Sequence, residues 1–574
     1  MAGVPHSLGE ERATVPRIVL PITSRGLELT DRLCWMILGT AMVAAAALIL
    51  YLNRGTTFFP DEIDWVYATP NLGASDVFEP HNGHLIATTR LVYKAILETV
   101  GVDYIAFRVL GVLAILLSAG LFYAVVKRRI GAVPALAPTL VLLFLGSAPV
   151  HVASPVGFTP VFSIAAGLAA LLALERGDRR GDLAACALIT LSVATYSTGL
   201  AFLIGVAISV LLRPGRLRRA WIFLVPLALY AAWWLWALTS ESSVSGEASP
   251  FNILLIPNWV ADSLAVVLAA LTGLGYGFAD LTTAEVSLGW GRMLAALAVV
   301  AFVLRIRRGN LHPSLWVSLG IVLAYWSLGG LVAGSFARAP EAIRFIYPGV
   351  VGVLLVATAA ADRIRFSRLG LAVLFIAAGL CIATNVALLR DGAAQTREVR
   401  SSPTGAYFAA LELARGHVDP NFAVVPREVS PVPSPAATYF GVVDRYGSPA
   451  PSLSELERQG EDVRQGADRI LASALGLRLE ASSSRPDGGC RRLRAEQPGA
   501  PVGFELPRGG ASLRVRAAGP AAVSLGRFAT LEWVEAGELS PGERATLRIP
   551  SDSSPRPWRA SVAGASSVEV CALR

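Results

Sequence analysis

Runs of roughly 20 apolar residues recur along the first 390 positions, and this feature constrains the fold more than any other. An α-helix of that length is what crosses the hydrocarbon core of a bilayer. Hydrophobic residues make up 54% of the chain and charged residues 16%, compared with about 25% charged residues in an average soluble protein. The sequence therefore predicts a polytopic α-helical membrane protein and excludes a disordered chain or an ordinary soluble enzyme.

The apolar runs predict about 11 transmembrane helices. Their approximate bounds are 33–52, 104–126, 132–149, 155–174, 182–195, 198–212, 220–238, 285–304, 314–334, 345–361 and 369–389. The stretch 258–277 is also apolar, but a full crossing there would move the next basic cluster to the opposite side of the membrane. We therefore expect 258–277 to be an interfacial or re-entrant element.

The distribution of arginines predicts the orientation. The net charge of +8 comes from short basic clusters between the apolar runs, which is the positive-inside pattern of membrane proteins rather than a nucleic-acid-binding surface. These clusters are Lys127–Arg129, Arg176–Arg180, Arg213–Arg219, Arg305–Arg308 and Arg363–Arg368. All of them fall on one side if the N-terminus is cytoplasmic and the chain crosses 11 times.

This orientation divides the chain into three parts. Residues 1–32 form a cytoplasmic N-terminal segment, and residues 33–390 form the transmembrane domain with a first outer loop over 53–103. Residues 391–574 form an extracytoplasmic C-terminal domain, where Pro, Ser, Gly and Arg become frequent. From about residue 503, apolar and polar residues alternate between Gly/Pro turns, which favours β-strands. We expect a C-terminal α/β or β-sandwich module.

Cys490 and Cys571 lie at the two ends of this module. Outside the cytoplasm, two such thiols are able to form a disulfide, but two free structural cysteines would look the same in sequence. Both alternatives stay open.

Three carboxylates follow the first predicted span within four residues. Asp61, Glu62 and Asp64 lie among the aromatic residues Phe58, Phe59, Trp65 and Tyr67, which place the acids at the membrane interface. Acidic groups at a membrane are expensive to desolvate and are often functional. The alternative is a solvent-exposed loop whose acidic side chains have no functional role.

Two histidines, His81 and His84, precede a stretch of helical periodicity that ends near Val100. This stretch is too polar to span a membrane and should lie along its outer surface. Two histidines without a clear third ligand are a weak metal signal. We expect them to form hydrogen bonds at a polar substrate cavity, together with Asp64.

These elements resemble the GT-C glycosyltransferases, in particular the group of protein O-mannosyltransferases, aminoarabinose transferases and actinobacterial arabinofuranosyl- and mannosyltransferases. The resemblance is carried by short motifs after the first span, before the horizontal helix and at the start of two later spans. In this chain they read Asp61-Glu62, His81-Asn82-Gly83-His84-Leu85, Phe107-Arg108-Val109-Leu110 and Ile343-Arg344-Phe345-Ile346-Tyr347-Pro348.

The resemblance implies a sugar donor linked to polyprenyl phosphate and a carboxylate that acts as general base. Asp61 is the first candidate for this base, Glu62 the second and Asp64 the third. Arginine suits the donor phosphate because its guanidinium binds phosphate through two parallel hydrogen bonds. The candidates for the donor-phosphate site are Arg344, Arg90, Arg108 and Tyr347, with Arg338 and Lys94 as further cations. No cofactor and no metal ion is expected, because fixed cations can neutralise the phosphate.

The resemblance thus implies a multi-pass cell-membrane glycosyltransferase of cell-envelope biogenesis, with membrane lipid, a polyprenyl-phosphate sugar and an extracytoplasmic glycan, lipid or protein acceptor as partners. The alternative function is a transporter or flippase of a lipid-linked cell-envelope precursor. A flippase is expected to carry charge within its spans, whereas the predicted spans are nearly free of charge and the polar groups collect on one side. No nucleic-acid partner is expected.

Overall fold

The computed structural model describes residues 24–58, 60–239, 250–280, 283–332, 339–362, 364–423, 435–482, 489–497 and 499–573. The predicted cytoplasmic segment 1–32 lies largely outside these residues, as do Phe59 and Arg338.

The α-helices of the described residues are numbered in chain order. They are α1 (Ser24–Leu52), α2 (Pro60–Ala68), α3 (Ala87–Val100), α4 (Tyr104–Ile130), α5 (Ala132–Leu143), α6 (Pro149–Ala153), α7 (Phe158–Leu174), α8 (Arg179–Thr195), α9 (Thr198–Leu211), α10 (Arg216–Arg219), α11 (Trp221–Ala237), α12 (Ile256–Thr272), α13 (Leu288–Arg307), α14 (Pro313–Leu331), α15 (Ile346–Ala360), α16 (Arg368–Gln395), α17 (Ser402–Ala414), α18 (Ala436–Tyr446), α19 (Leu453–Glu457) and α20 (Glu461–Ala474).

Eight helical segments among the described residues are long and apolar enough to cross a membrane. They are Thr30–Leu52, Tyr104–Ile130, Pro155–Leu174, Phe251–Thr272, Leu288–Arg307, Pro313–Leu331, Ile343–Ala360 and Arg368–Ala414. Three shorter apolar helices accompany them, α5, α9 and α11. The chain is a multi-pass α-helical membrane protein, as predicted, and the exact count of 11 crossings stays a prediction.

The loops that carry the basic clusters meet at one end of the helical bundle. Arg128 forms an ion pair with Glu175, and Arg213 donates from Nη1 to the Leu174 carbonyl at 2.6 Å. Arg305 donates from Nε to the Ala360 carbonyl at 2.7 Å. A cavity of about 490 Å³ joins these loops and is lined in part by Arg128, Arg129, Glu175, Arg213, His312 and Asp362. We call this end of the bundle the basic face and the opposite end the site face.

The helix α12 has both of its ends at the site face. Just before it, Asn252 donates to the carbonyl of Leu331, the last residue of α14, at 2.8 Å. At its other end, Thr272 accepts hydrogen bonds from Trp290, near the start of α13, and from Thr384. Because α13 ends and α14 begins at the basic face, these contacts agree with the predicted interfacial or re-entrant element rather than with a full crossing.

The helix α16 passes through the predicted domain boundary at 390 and is continued by a π-helical turn, Thr396–Ser401, and by α17. The helices α17 and α18 pack on the first outer loop through a shared apolar cluster. Within it, the Tyr67 ring lies 5.6 Å from the Tyr439 ring, and the Val102 amide donates to the Tyr446 carbonyl at 3.2 Å. The start of the C-terminal region therefore covers one side of the first loop.

The strands are β1 (Tyr276–Phe278), β2 (Ala284–Val286), β3 (Leu479–Ala481), β4 (Cys490–Arg494), β5 (Val502–Glu505), β6 (Gly509–Gly526), β7 (Val534–Leu539), β8 (Arg544–Ile549) and β9 (Arg559–Ala572). The first two form a hairpin between α12 and α13.

The other seven strands form one antiparallel sheet in the order β3-β8-β6-β9-β4, in which β5 also pairs with β9 and β7 with β6. Leu513 and Val515 on β6 are buried, whereas Arg514 and Arg516 are exposed, so the predicted alternation holds. Helices α17 and α20 share the apolar core beneath this sheet. The predicted β-rich C-terminal region is confirmed.

The pairing of β4 with β9 decides whether Cys490 and Cys571 form a disulfide or are two free cysteines. Cys490 lies directly opposite Cys571 in this antiparallel register, and the two residues form a disulfide. The other three cysteines, Cys34, Cys186 and Cys381, are free.

Candidate functional site

The acidic run Asp61-Glu62 lies in the first turn of α2. Pro60 is the first residue of this helix, where its fixed φ angle suits a helix start and its missing N–H costs nothing. Carboxylates are favoured at such a start because the helix dipole is positive there. Successive helical residues are rotated by about 100°, so Asp61 and Glu62 point in different directions.

Asp61 faces a cavity of about 310 Å³ at the site face, and its side chain is 40% exposed. The cavity lies between α2, the His81–His84 turn, α6, the start of α7, the turn between α8 and α9, and the segments that carry Arg344 and Arg400. It is lined by Asp61, Trp65, His81, Asn82, His84, Ile86, Val150, His151, Val156, Gly157, Thr159, Pro160, Tyr196, Ile343, Arg344 and Arg400.

Glu62 is fully buried and lies outside the lining of this cavity. Its carboxylate accepts hydrogen bonds from the hydroxyl of Tyr93 at 3.1 Å and from the hydroxyl of Tyr104 at 3.2 Å. Burial and the neighbouring Glu62 charge raise the pKa of Tyr93 well above its usual value, so this hydroxyl stays protonated as a donor. The structure thus separates the two predicted acids: Asp61 lines the cavity, and Glu62 ties α2 to α3 and α4.

His81 and His84 are brought together by a tight hairpin turn. The His81 amide donates to the His84 carbonyl at 3.0 Å and the His84 amide to the His81 carbonyl at 2.9 Å. The two central residues, Asn82 and Gly83, have positive φ angles of 50° and 78°, a conformation that Asn-Gly adopts readily. The turn places both histidines in the lining of the cavity, and their predicted hydrogen bonding to a substrate stays a prediction.

Each imidazole has a neighbour at the cavity wall. His81 Nε2 lies 3.8 Å from an Asp61 carboxylate oxygen. His84 Nδ1 lies 3.0 Å from the Ser197 hydroxyl, and its ring packs on the Tyr196 ring at 4.4 Å.

Two arginines line the cavity together with Asp61. Arg344 is exposed at the start of α15, where the sequence places it as a candidate for phosphate binding. Arg400 lies in the π-helical turn that follows α16, close enough to Asp61 and Asp280 for their charges to interact. Sequence reasoning missed Arg400, although Arg397 and Arg400 recur at helical spacing just beyond the last predicted span.

Arg90 and Arg108, the other predicted phosphate-binding arginines, do not line this cavity. Arg90 donates to the carbonyls of Asp76, Val77 and Glu79 at 2.5, 3.3 and 2.6 Å, and burial lowers its pKa. Arg108 donates to the Asn53 carbonyl at 2.7 Å. Arg90 therefore binds backbone carbonyls within the first outer loop, and Arg108 binds a carbonyl at the start of this loop.

Three further candidates also lie outside the lining. Tyr347 is fully buried, with its ring 6.2 Å from the His151 ring behind the cavity wall. Asp64 is half-buried on α2, and Lys94 donates to the Leu72 carbonyl at 3.4 Å.

Metal-type ligands also cluster outside this cavity. Among the described residues, Cys490, Glu569 and Cys571 form a group whose potential metal-ligand atoms lie within 4.8 Å of one another. Its two cysteines are the disulfide partners described above.

The comparisons with known proteins are distant. No family model matches the chain, and no curated protein matches it. The chain is similar to the crystal structure of ArnT from Cupriavidus metallidurans bound to undecaprenyl phosphate, with 14% identity and a TM-score of 0.44, covering 78% of this chain and 96% of ArnT. For ArnT in the apo state, identity is 13% and the TM-score 0.46, with the same coverage.

The chain is also similar to the cryo-EM structure of the arabinosyltransferase EmbB from Mycobacterium smegmatis, with 12% identity and a TM-score of 0.32. This similarity covers 98% of the present chain and 65% of EmbB.

Proposed function

We propose that the protein is a GT-C-type glycosyltransferase that moves a sugar from a polyprenyl-phosphate-linked donor to an extracytoplasmic glycan, lipid or protein acceptor. One observation carries the proposal. Among the described residues that line the site-face cavity, one is a carboxylate, Asp61, and two are guanidiniums, Arg344 and Arg400. A carboxylate and paired cations are what a sugar transfer from a phosphate leaving group requires.

The reaction needs one proton acceptor. The acceptor hydroxyl oxygen attacks the anomeric carbon of the donor sugar, the bond from that carbon to the phosphate oxygen breaks, and polyprenyl phosphate leaves with the bonding electrons. The phosphate departs as an anion without a proton, whereas the acceptor hydroxyl must lose one. Asp61 takes this proton as general base, because its carboxylate is accessible from the cavity.

The two arginines balance the charge of the donor and of the leaving group. A guanidinium cannot lose its proton at neutral pH and matches phosphate geometry through paired N–H donors. Arg344 approaches the cavity from the start of α15 and Arg400 from the π-helical turn after α16. Because these elements are fixed by packing, the cations are held in place before the phosphate arrives, which lowers the cost of reorganisation during transfer.

The test compares two aspartates of the same helix. Asp61→Asn keeps the shape of the side chain but removes the base, so we expect transfer to fall by about 100-fold or more. Asp64→Asn, the matched control, changes a half-buried carboxylate outside the cavity lining and should retain most activity. The measurement is transfer of radiolabelled sugar from polyprenyl-phosphate donors to cell-envelope acceptors by purified protein in lipid nanodiscs.

Unchanged turnover in Asp61→Asn would remove this residue as the base. The alternative, a transporter or flippase, predicts a different result: proteoliposomes would move a fluorescent lipid-linked precursor between leaflets, and no new glycosidic bond would form.

A further inference from the structure

A third histidine, His151, also lines the cavity. It lies in α6, a five-residue helix between α5 and α7, and only 4% of the residue is exposed. His151 lines the cavity together with Arg344. In the sequence, His151 stands alone between apolar residues and belongs to none of the motifs described above.

The ring of His151 has an unsatisfied polar atom. Its Nδ1 is buried and has no hydrogen-bond partner among the described residues. Buried polar atoms of side chains are usually paired with protein or ordered water, so an exception next to a cavity points to a ligand or to a catalytic role. His81 and His84, by contrast, have Asp61 and Ser197 beside them.

His151 is neutral at physiological pH. Burial and the positive charge of Arg344 together lower its pKa to about 4. A neutral imidazole always offers one N–H donor and one acceptor nitrogen. The ring thus adds hydrogen-bonding capacity beside Arg344 without adding to the positive charge of Arg344 and Arg400.

We propose that His151 is a ligand-binding residue that donates a hydrogen bond to the donor phosphate beside Arg344. This inference rests on the proposed function and adds a residue to the same site. A neutral donor next to a guanidinium completes the contacts of a phosphate, which presents more oxygen acceptors than one arginine can satisfy.

The experiment measures binding of undecaprenyl phosphate, which carries the lipid phosphate and no sugar, to the full chain in nanodiscs. His151→Phe keeps an aromatic ring and removes both nitrogens, so the dissociation constant should rise by about tenfold or more. His151→Gln restores an N–H donor and should recover a large part of the affinity. His312→Gln, on the basic face, is the matched control and should bind like the wild type.

Steady-state kinetics separate a binding role from a structural one. In His151→Phe the KM for the donor should rise while the KM for the acceptor stays within about twofold of wild type. If wild type and His151→Phe bind the lipid phosphate equally, His151 does not contact the phosphate and the inference is wrong. If the wild type itself fails to bind the lipid phosphate, the proposed function fails instead.

Protein folding is checked with the same variants. If His151→Phe loses thermal stability and His151→Gln, although stable, binds as weakly as His151→Phe, the ring acts by packing and the inference is overturned. A stable His151→Gln with recovered affinity supports the hydrogen bond even if the Phe variant does not fold.

Discussion

At the scale of single residues, side chains of the same type have different tasks here because of their surroundings. Asp61 and Glu62 are neighbours in sequence, yet Asp61 lines a cavity, whereas Glu62 accepts hydrogen bonds from two buried tyrosine hydroxyls. Arg344 and Arg90 both belong to the predicted phosphate site, yet Arg90 is engaged by three backbone carbonyls. The role of a charged residue is therefore set by its partners rather than by its type.

This contrast gives a prediction for the two arginines. Arg344→Ala should raise the apparent donor constant by about tenfold or more, because a hydrogen bond to a charged group contributes about 1.5–3 kcal/mol. Arg344→Lys keeps the charge but loses the planar fork, so it should retain only part of the affinity. Steady-state kinetics with donor and acceptor varied separately provide the measurement.

Arg90→Ala is the comparison variant. It leaves three carbonyls of the first outer loop without their donor, so its thermal midpoint should drop. If Arg344→Ala loses thermal stability and keeps its donor constant, Arg344 is a structural residue and Arg400 becomes the first candidate for the phosphate.

At the scale of elements, short and irregular segments position the cavity wall. The two-residue turn at Asn82-Gly83 aims two histidines, a π-helical turn carries Arg400, and α6 carries His151. Pro155–Gly157 follows α6 as a single helical turn. Gly157 lies so close to α6 that an added Cβ would overlap the backbone of His151, with 2.5 Å to its Cα.

Gly157→Ala should therefore impair activity although it removes no polar group. The new methyl group has to push the backbone of α6 away, which displaces the cavity wall that carries His151. We expect kcat/KM to fall by about tenfold, because small displacements of binding groups reduce rates strongly. Gly39→Ala in α1, where an added Cβ meets nothing within 4 Å, is the control, and equal activity of the two variants would contradict the prediction.

At the scale of the whole molecule, the bundle has two chemically distinct ends. The basic clusters meet at one end, and the cavity with Asp61, Arg344 and Arg400 lies at the other. The C-terminal region follows α16 and covers the first outer loop. The positive-inside rule predicts that the basic face is cytoplasmic and the cavity extracytoplasmic.

Two introduced cysteines test this orientation. Ser454 is exposed in α19 of the C-terminal region, and Leu217 is 86% exposed on the basic face. Ser454→Cys should react with a membrane-impermeant thiol reagent in intact cells, whereas Leu217→Cys should react only after lysis. The reverse pattern would place the cavity on the cytoplasmic side and would exclude extracytoplasmic transfer.

The sequence by itself determined the features that depend on hydropathy and local pattern. The membrane class and the approximate positions of the apolar helices follow from the length of the apolar runs, because transfer of apolar side chains out of water drives them into the membrane. The β-rich C-terminal region follows from period-2 alternation, because the geometry of a strand places successive side chains on opposite faces. That 258–277 does not cross the membrane was expected from charge placement. The contacts of α12 are compatible with this expectation, which stays a prediction.

Only the tertiary structure decided which polar residues share the cavity. Asp61 and Arg400 are far apart in the chain, and no local pattern links them. Arg400 directly precedes α17, and α17 packs against the first loop that carries Asp61. His151 looks like an isolated core residue until its unpaired nitrogen and the cavity are seen together. Likewise, the disulfide between Cys490 and Cys571 depends on the register of β4 against β9, since spacing alone cannot bring two thiols into contact.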